Sequence, residues 1–245
     1  MASSTHDAKH KWTNWRKANF NFFKKRLDCL DNHLTLLDIG SGPEQFREIT
    51  WRFKEVISVD FKQYGTTKIV ADITKGIPIE DKTVDIVFLS NALEHLPDGQ
   101  FILRECFRVL RKRAGGGLII GTVPFIAPEH QGPYDYHRYT HYMLEILLRD
   151  AGFQDGEVIA IGKPVKVYIN MIDEFFRRLR GQKVSDNRMV QWIFFQSVKL
   201  IRLINLAFFA IFLPIYNLAE ERHNFCQGFG FIGYKRSIQA TQERR

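Results

Sequence analysis

The chain has 245 residues, 45% of them hydrophobic, and a formal net charge of +8. This length suffices for one substantial core, so we expect one α/β domain with an added segment and an acidic partner. The three cysteines (Cys29, Cys106 and Cys226) lack the paired spacing of a metal site and favour a reducing compartment. The polar residues 1–6 contain no apolar stretch of the secretory type, so we expect a cytoplasmic protein.

Residues 1–33 form a basic, aromatic N-terminal segment. Tryptophan and phenylalanine alternate with lysine and arginine in this stretch, including Trp12, Trp15, Phe20, Phe22 and Phe23. The pattern predicts a helix that lies across the ligand-binding edge of the domain that follows.

An apolar run from Leu36 breaks into the glycine turn 40–42, and the next apolar run ends on Asp60. A strand that stops at such a turn lets a ligand approach the backbone. An acidic residue about 20 positions further on can accept both ribose hydroxyls of a nucleoside. A pyrophosphate would need an exposed helix N-terminus, where Pro43 and Glu44 place bulk and negative charge. The turn therefore indicates a nucleoside ligand without phosphates.

Apolar runs and helical patterns continue to alternate along residues 34–162. Strands are predicted at 68–73, 83–90 and 118–124, with a helix over 105–111 before the last of them. Further strands are predicted at 157–161 and 229–235, which would form an antiparallel hairpin at the edge of the sheet. This alternation is typical of a doubly wound sheet.

The blocks LDIGSG (37–42), LEHL (93–96) and RVL (108–110), the last followed by glycines, resemble class I S-adenosylmethionine-dependent methyltransferases of the small-molecule branch. The resemblance covers roughly residues 34–162 and the closing strand within residues 225–245. It implies a Rossmann-like α/β fold of seven strands, the last antiparallel, with a helical hydrophobic insertion before the last strand. It also implies S-adenosylmethionine as the cofactor.

The resemblance further implies a set of cofactor-binding residues: Asp38, Gly40, Ser41, Gly42, Asp60, Phe61, Asp72, Ile73, Ser90 and Asn91. Asp38 would order the turn, and the glycines would pass beneath the methionine part. Asp60 would accept hydrogen bonds from the ribose diol, since a carboxylate accepts from two hydroxyls at once. Phe61 would face the adenine, and Asp72 would meet its amino group. A helix cap or turn is the alternative role of each acid.

The segment after the fifth strand, 124–140, is rich in proline and is expected to be a loop at the ligand edge. A hydroxyl acceptor needs a positioned base, and histidine suits that task. His130 is the first candidate and His137 the second. Tyr134, Asp135 and Arg138 would hold the acceptor, although Asp135 and Arg138 could instead pair with each other.

Histidines of this sequence could instead have a structural role or bind a metal. His95, in the LEHL block, is more consistent with a structural role than with catalysis, because that histidine occurs in relatives with unrelated substrates. The spacing of His130, Asp135, His137 and His141 fits no common metal template, so no metal is expected.

Residues 163–224 interrupt the alternation and predict two helices, over 165–180 and roughly 187–213. Lys199, Arg202 and Asn205 recur every third residue and would form one polar stripe on an otherwise apolar helix. The uninterrupted apolar part is shorter than the roughly 20 residues that span a bilayer. An upstream basic cluster favours a helix in an anionic membrane interface: Arg177, Arg178, Arg180, Lys183 and Arg188. A cap on the domain, a dimer interface and a true span are the alternatives.

The acceptor is suggested by resemblance alone. The fourth strand leads into Ser90-Asn91-Ala92-Leu93 rather than Asn-Pro-Pro-Tyr, which argues against a nucleic-acid partner. The loop PYDYHRYT (133–140) and the apolar insertion resemble bacterial methyltransferases of surface-glycan and lipid-linked pathways. This implies O-methylation of a glycan or lipid-linked hydroxyl, at the inner face of the membrane. A soluble or quinone-like acceptor, or a noncatalytic cofactor-binding role, is the alternative.

Overall fold

The computed structural model describes residues 12–43, 46–112, 116–217 and 225–236, with the backbone alone at residue 165 and at 212–217. Glu44, the first part of the predicted N-terminal segment and the basic tail after residue 236 lie outside the described residues. The chain divides into two compact units. One comprises Met1–Ile161 with Gly228–Arg245, and the other comprises Gly162–Gln227.

Seven strands form one sheet in the order β3-β2-β1-β4-β5-β7-β6. The first five are mutually parallel, and β7 is antiparallel to both of its neighbours. The predicted seven-stranded fold with an antiparallel last strand is confirmed. The strands are β1 (Thr35–Ile39), β2 (Glu55–Asp60), β3 (Ile69–Val70), β4 (Ile86–Ser90), β5 (Gly117–Pro124), β6 (Gln154–Ile161) and β7 (Gly228–Lys235).

Six α-helices are described: α1 (Asn14–Leu27), α2 (Arg47–Thr50), α3 (Gly99–Val109), α4 (His141–Ala151), α5 (Pro164–Arg180) and α6 (Arg188–Asn217). Short 3₁₀ turns cover Ile73–Lys75 and Leu93–His95. Two predicted elements differ most from the sequence expectation. β3 has only two residues, because Asp72 already caps the first 3₁₀ turn through the N–H of Thr74. α3 begins six residues before the predicted helix, at Gly99, because the Asp98 carboxylate caps it.

The core of the first unit lies between the sheet and its helices. The side chains of β1 and β4 are almost fully buried, as expected for parallel strands covered on both faces. Phe23 of α1 is completely buried, and its ring centroid lies 4.4 Å from that of Phe88 in β4. At Gly121 of β5, a Cβ would come within 2.3 Å of the Phe231 ring, so only glycine fits there.

Helix α1 is tied to the end of β4. The indole N–H of Trp15 donates a hydrogen bond of 3.1 Å to the side-chain oxygen of Asn91, the residue that follows β4. A Cβ at Gly228 would come 2.4 Å from the Trp15 ring, so the helix also packs closely against the start of β7. The helix therefore reaches the carboxyl edge of the parallel strands, where ligands of such sheets bind.

The second unit consists mainly of α5 and α6, which join through polar and aromatic contacts. The Tyr168 hydroxyl donates to the Asn205 side chain at 3.2 Å, and its ring stacks on Phe209 at 4.1 Å. Arg202 donates to Asp173 at 2.8 Å. Two members of the predicted polar stripe, Arg202 and Asn205, thus serve the contact between the helices.

Large apolar side chains of this unit are exposed, among them Met171, Phe175, Met189, Trp192, Ile193, Leu200, Ile201, Leu203, Ile204 and Ile211. Within the described part of the chain, one helix is long and apolar enough to cross a membrane. The stretch Arg188–Ile211 has 24 residues with a mean hydropathy of 1.5, and 11% of it is buried. It is long enough for a span by length and composition only, and Lys199 and Arg202 interrupt its apolar part.

Candidate active site

The glycine turn after β1 is shaped by its own backbone. Gly40 and Gly42 have φ angles of +68° and +50°, a left-handed conformation that favours glycine. The N–H of Gly40 donates to the Val59 carbonyl at 2.9 Å. A Cβ at Gly40 would lie 2.9 Å from that of Ala92, whereas no atom of the described residues lies within 4 Å of one at Gly42. The turn is thus closed on the side of Ala92 and open at Gly42.

Asp60 holds this turn while keeping room for a ligand. Its buried carboxylate accepts the N–H of Gly42 at 2.9 Å and the N–H of Lys62 at 3.0 Å, one on each oxygen. A carboxylate offers about four acceptor positions, so lone pairs remain for two hydroxyls. Asp60 can therefore order the turn, the alternative role expected from the sequence, and still bind a ligand.

Two buried hydroxyls at this edge have unused hydrogen-bonding capacity. The Oγ atoms of Ser41 and Ser90 are buried and have no hydrogen-bond partner among the described residues. Buried polar groups are nearly always satisfied, so a polar ligand is the simplest partner for them. Asn91 follows Ser90 with a φ of +51°, an uncommon conformation for a side-chain-bearing residue that often marks a functional site.

The remaining cofactor candidates lie around the same edge. Asp38 is buried in β1, between Ser58 of β2 and Phe88 of β4 in the register. Phe61 is 59% exposed, so its ring face is available to a planar ligand. Asp72 accepts hydrogen bonds from the N–H and the hydroxyl of Thr74. It caps the turn that Ile73 begins, which matches the alternative role of this acid.

The loop 125–140 is ordered by an ion pair between Asp135 and Arg138. The guanidinium donates to both carboxylate oxygens at 2.7 Å, and the Asp135 side chain is only 2% exposed. Hydrogen bonds from Arg138 hold the pKa of Asp135 far below its ordinary value. Arg138 also donates to the carbonyls of Ala127 and Pro128. Of the proposed acceptor-side residues, these two therefore hold the loop together, and the exposed Tyr134 is the one available for contact.

The loop is fastened to the turn that follows β4. The N–H groups of Tyr136 and His137 donate to the backbone carbonyl of Glu94 at 2.9 and 3.2 Å. The His137 Nε2 lies 3.1 Å from the Pro97 carbonyl and therefore donates to it. The Tyr134 ring lies 6.0 Å from that of Phe61, which brings the loop beside the cofactor candidates. His137 is partly committed to structure, whereas His130 is the better placed of the two histidine candidates.

His130 lies close to His95 and to Glu94, and Glu94 was not among the residues selected from the sequence. The rings of His95 and His130 lie 5.1 Å apart, and the Glu94 side chain behind them is completely buried. Both Glu94 carboxylate oxygens lack a hydrogen-bond partner among the described residues. Burial raises the pKa of Glu94 to about 8 and lowers that of His95. Glu94 belongs to the LEHL block, and its backbone carbonyl binds loop 125–140, which is distant in sequence.

Comparison with known proteins identifies the domain. A family model described as a methyltransferase domain matches residues 37–120. The chain is 32% identical over 130 residues to a malonyl-[acyl-carrier protein] O-methyltransferase of Coxiella burnetii, an alignment that covers 48% of this chain and 44% of that protein. Residues 37–120 therefore belong to a methyltransferase domain. The match to a probable S-adenosylmethionine-dependent methyltransferase of Mycobacterium tuberculosis is 30% identical and covers 42% of each chain.

Solved structures support the same fold for the methyltransferase domain. A methyltransferase from Archaeoglobus fulgidus superposes with a TM-score of 0.55 at 18% identity, covering 90% of this chain and 94% of that one. A methyltransferase bound to its activator in Haloferax volcanii gives a TM-score of 0.57 at 16% identity, with 95% of both chains covered. At this identity the likeness shows the fold alone. The chain spans less than half the length of the curated relatives that it matches.

Proposed function

We propose that the protein transfers a methyl group from S-adenosylmethionine to a hydroxyl oxygen. The observation that carries the proposal is the glycine turn of the methyltransferase domain. The turn lies at one edge of the sheet, beside open space at Gly42 and the Asp60 carboxylate. Two buried hydroxyls at the same edge have no partner among the described residues. These groups fit a nucleoside with a polar amino-acid tail. The relative from Coxiella burnetii, named as an O-methyltransferase, supports oxygen as the acceptor atom.

Each side of the site has a distinct task. The cofactor, when bound, supplies a methyl group activated by its sulfonium. Asp60 would accept hydrogen bonds from the ribose diol, and Ser41 and Ser90 would bind the polar tail. The open approach at Gly42 leaves space for the ligand backbone, while Phe61 offers a ring face to the adenine. Positioning of this kind is the main contribution that a protein makes to such a transfer.

On the acceptor side, we propose that Tyr134 contacts the substrate and that His130 assists the loss of the hydroxyl proton. The His130 ring is anchored because its Nδ1 lies 3.2 Å from the Pro128 carbonyl and 3.3 Å from Asp135. Its side chain is 36% exposed, so a substrate can reach it. His137 is the second candidate, since its Nε2 is already engaged with Pro97.

The helical unit suggests where such an acceptor is met. Its polar contacts join the two helices, and its apolar side chains point outward, an arrangement that suits lipid rather than water. We therefore propose a lipid-linked acceptor, such as a glycan on a lipid carrier, methylated at an anionic membrane surface on the cytoplasmic side. Arg177 and Arg178 pair with Glu174, and Lys183 pairs with Asp186. The net positive charge of the basic cluster is consequently smaller than the sequence indicates.

The test is a transfer assay with methyl-labelled S-adenosylmethionine against lipid-linked sugars, free sugars and quinone-like phenols. We expect labelled methyl ethers on the lipid-linked sugars. His130→Ala should slow transfer about 100-fold, as loss of a positioned proton-transfer group does, while cofactor affinity stays unchanged. His33→Ala, a change at an exposed turn, is the matched control and should alter neither. Labelling of an amine or of the phenols alone would overturn the proposed acceptor.

A further inference from the structure

Beneath loop 125–140 lies a cluster of three potential ligand groups from two segments. Glu94, His95 and His130 each offer one ligand atom, and these atoms all lie within 4.8 Å of one another. The Glu94 Oε1 and the His95 Nε2 are 3.8 Å apart. Two ligands at about 2.0–2.2 Å from one ion are separated by at most about 4.4 Å, so a small adjustment within the cluster would bring all three atoms into range.

The Glu94 carboxylate needs a partner that the described residues do not supply. Its side chain is 0% exposed, and neither oxygen makes a hydrogen bond to any described residue. A buried ionised carboxylate without hydrogen bonds or a cation is costly, so such groups are normally protonated, paired or bound to a metal. The nearby Arg138 does not fill this role, because its guanidinium already donates to both oxygens of Asp135.

His95 is prepared as a ligand by its other nitrogen. Its Nδ1 lies 2.7 Å from the Tyr134 carbonyl, and a carbonyl can only accept, so the proton is on Nδ1. The lone pair is therefore on Nε2, which is buried and makes no hydrogen bond within the described part of the chain. Metal-binding histidines typically donate their second N–H to a carbonyl or carboxylate in this way. The His130 ring is held through its Nδ1, which lies 3.2 Å from the Pro128 carbonyl, 3.3 Å from Asp135 and 3.4 Å from an Arg138 nitrogen.

We propose that Glu94, His95 and His130 bind one divalent transition-metal ion of the Zn²⁺ or Co²⁺ class. Two imidazole nitrogens and one carboxylate favour such an ion over Mg²⁺, which prefers oxygen ligands. Three protein ligands leave an open coordination position, as in catalytic metal sites. The ion's role rests on the proposed function: it would hold the acceptor hydroxyl and lower its pKa, so that the hydroxyl proton is released to water, and His130 would assist as a ligand of the ion rather than by taking the proton itself.

The site is tested by metal binding in the absence of cofactor and acceptor. The full chain is stripped with a chelator and titrated with Co²⁺, whose visible absorption reports nitrogen and oxygen coordination, and then with competing Zn²⁺. We expect one Co²⁺ per chain, displaced by Zn²⁺ and not by Mg²⁺. Glu94→Gln keeps the shape of the side chain and should weaken Co²⁺ binding at least 100-fold, more than the about 10–100-fold typical of losing a group behind a ligand.

His137→Asn is the matched control, because it removes a histidine from the same loop outside the cluster, and it should leave the Co²⁺ affinity unchanged. Thermal unfolding of each variant checks that the fold is retained. Absence of stoichiometric Co²⁺ binding by the wild-type chain would overturn the site, as would equal weakening by His137→Asn and Glu94→Gln. Co²⁺ binding by a chain that transfers no methyl group would instead contradict the proposed function and leave the metal site standing.

Discussion

The two units of the chain place apolar side chains in opposite ways. In the methyltransferase domain, the apolar residues of β1, β4 and α3 are buried, and polar groups collect at the carboxyl edge of the sheet. In the helical unit, Arg202 and Asn205 serve the contact between the helices while Leu200 and Leu203 are exposed. Hydrophobic sequence thus stabilises a core in one unit and leaves a surface that suits lipid in the other.

The largest expected effect comes from the same substitution in a helix of each unit. Leu103 in α3 is completely buried, whereas Leu203 in α6 is 63% exposed. Leu103→Ala should lower the free energy of unfolding by about 3 kcal/mol, because it removes buried methyl groups and leaves a cavity. Leu203→Ala should change it by less than about 0.5 kcal/mol. Urea unfolding curves in detergent-free buffer measure both, and similar losses would show that the α6 surface is covered in solution.

The next effect concerns the polar edge of the methyltransferase domain. Asp60→Ala should weaken S-adenosylmethionine and S-adenosylhomocysteine binding by roughly 2–3 kcal/mol, since it removes charge-assisted hydrogen bonds to the ribose. Asp72→Ala is the matched control: its carboxylate is exposed and caps a turn, so a smaller loss is expected. Calorimetric titration gives both affinities, and an unchanged value for a folded Asp60→Ala chain would remove this residue from the site.

The smallest effect concerns the charges of the helical unit. Arg180 and Arg188 belong to the helical unit whose apolar side chains are exposed, and under the proposed membrane role each should contribute about 1 kcal/mol to binding of anionic vesicles. Arg180→Gln and Arg188→Gln should weaken vesicle binding and flatten its salt dependence, because exposed charges are screened by salt. Arg149→Gln, on the other unit, should leave vesicle binding and its salt dependence unchanged. Flotation with anionic liposomes measures the bound fraction, and binding to neutral vesicles at high salt would favour a spanning helix instead.

The fold could be predicted from the sequence because its signals are local. Apolar runs that end at glycines or acids marked the strands, and the LDIGSG block placed the turn at the correct edge. The strand β3 was predicted too long, because Asp72 caps the following turn although the apolar run continues through Ile73.

The acceptor side was harder to predict, since it depends on contacts between distant segments. Loop 125–140 is fastened to the Glu94 backbone by hydrogen bonds that no periodicity in the sequence reports. The same holds for the link between Trp15 and Asn91, 76 residues apart. In α6, the spacing of Arg202 and Asn205 predicted a shared face, but only the partner helix shows that this face points inward.

The central claim is that the edge formed by the glycine turn and Asp60 binds S-adenosylmethionine. The most direct measurement is isothermal titration calorimetry of the wild-type chain with S-adenosylmethionine and S-adenosylhomocysteine, with adenosine diphosphate as the comparison ligand. We expect one saturable site per chain for the first two and little binding of the diphosphate, because Pro43 follows the turn where a pyrophosphate would need exposed amides. A folded chain that binds neither sulfur nucleoside, or that prefers the diphosphate, would contradict the account.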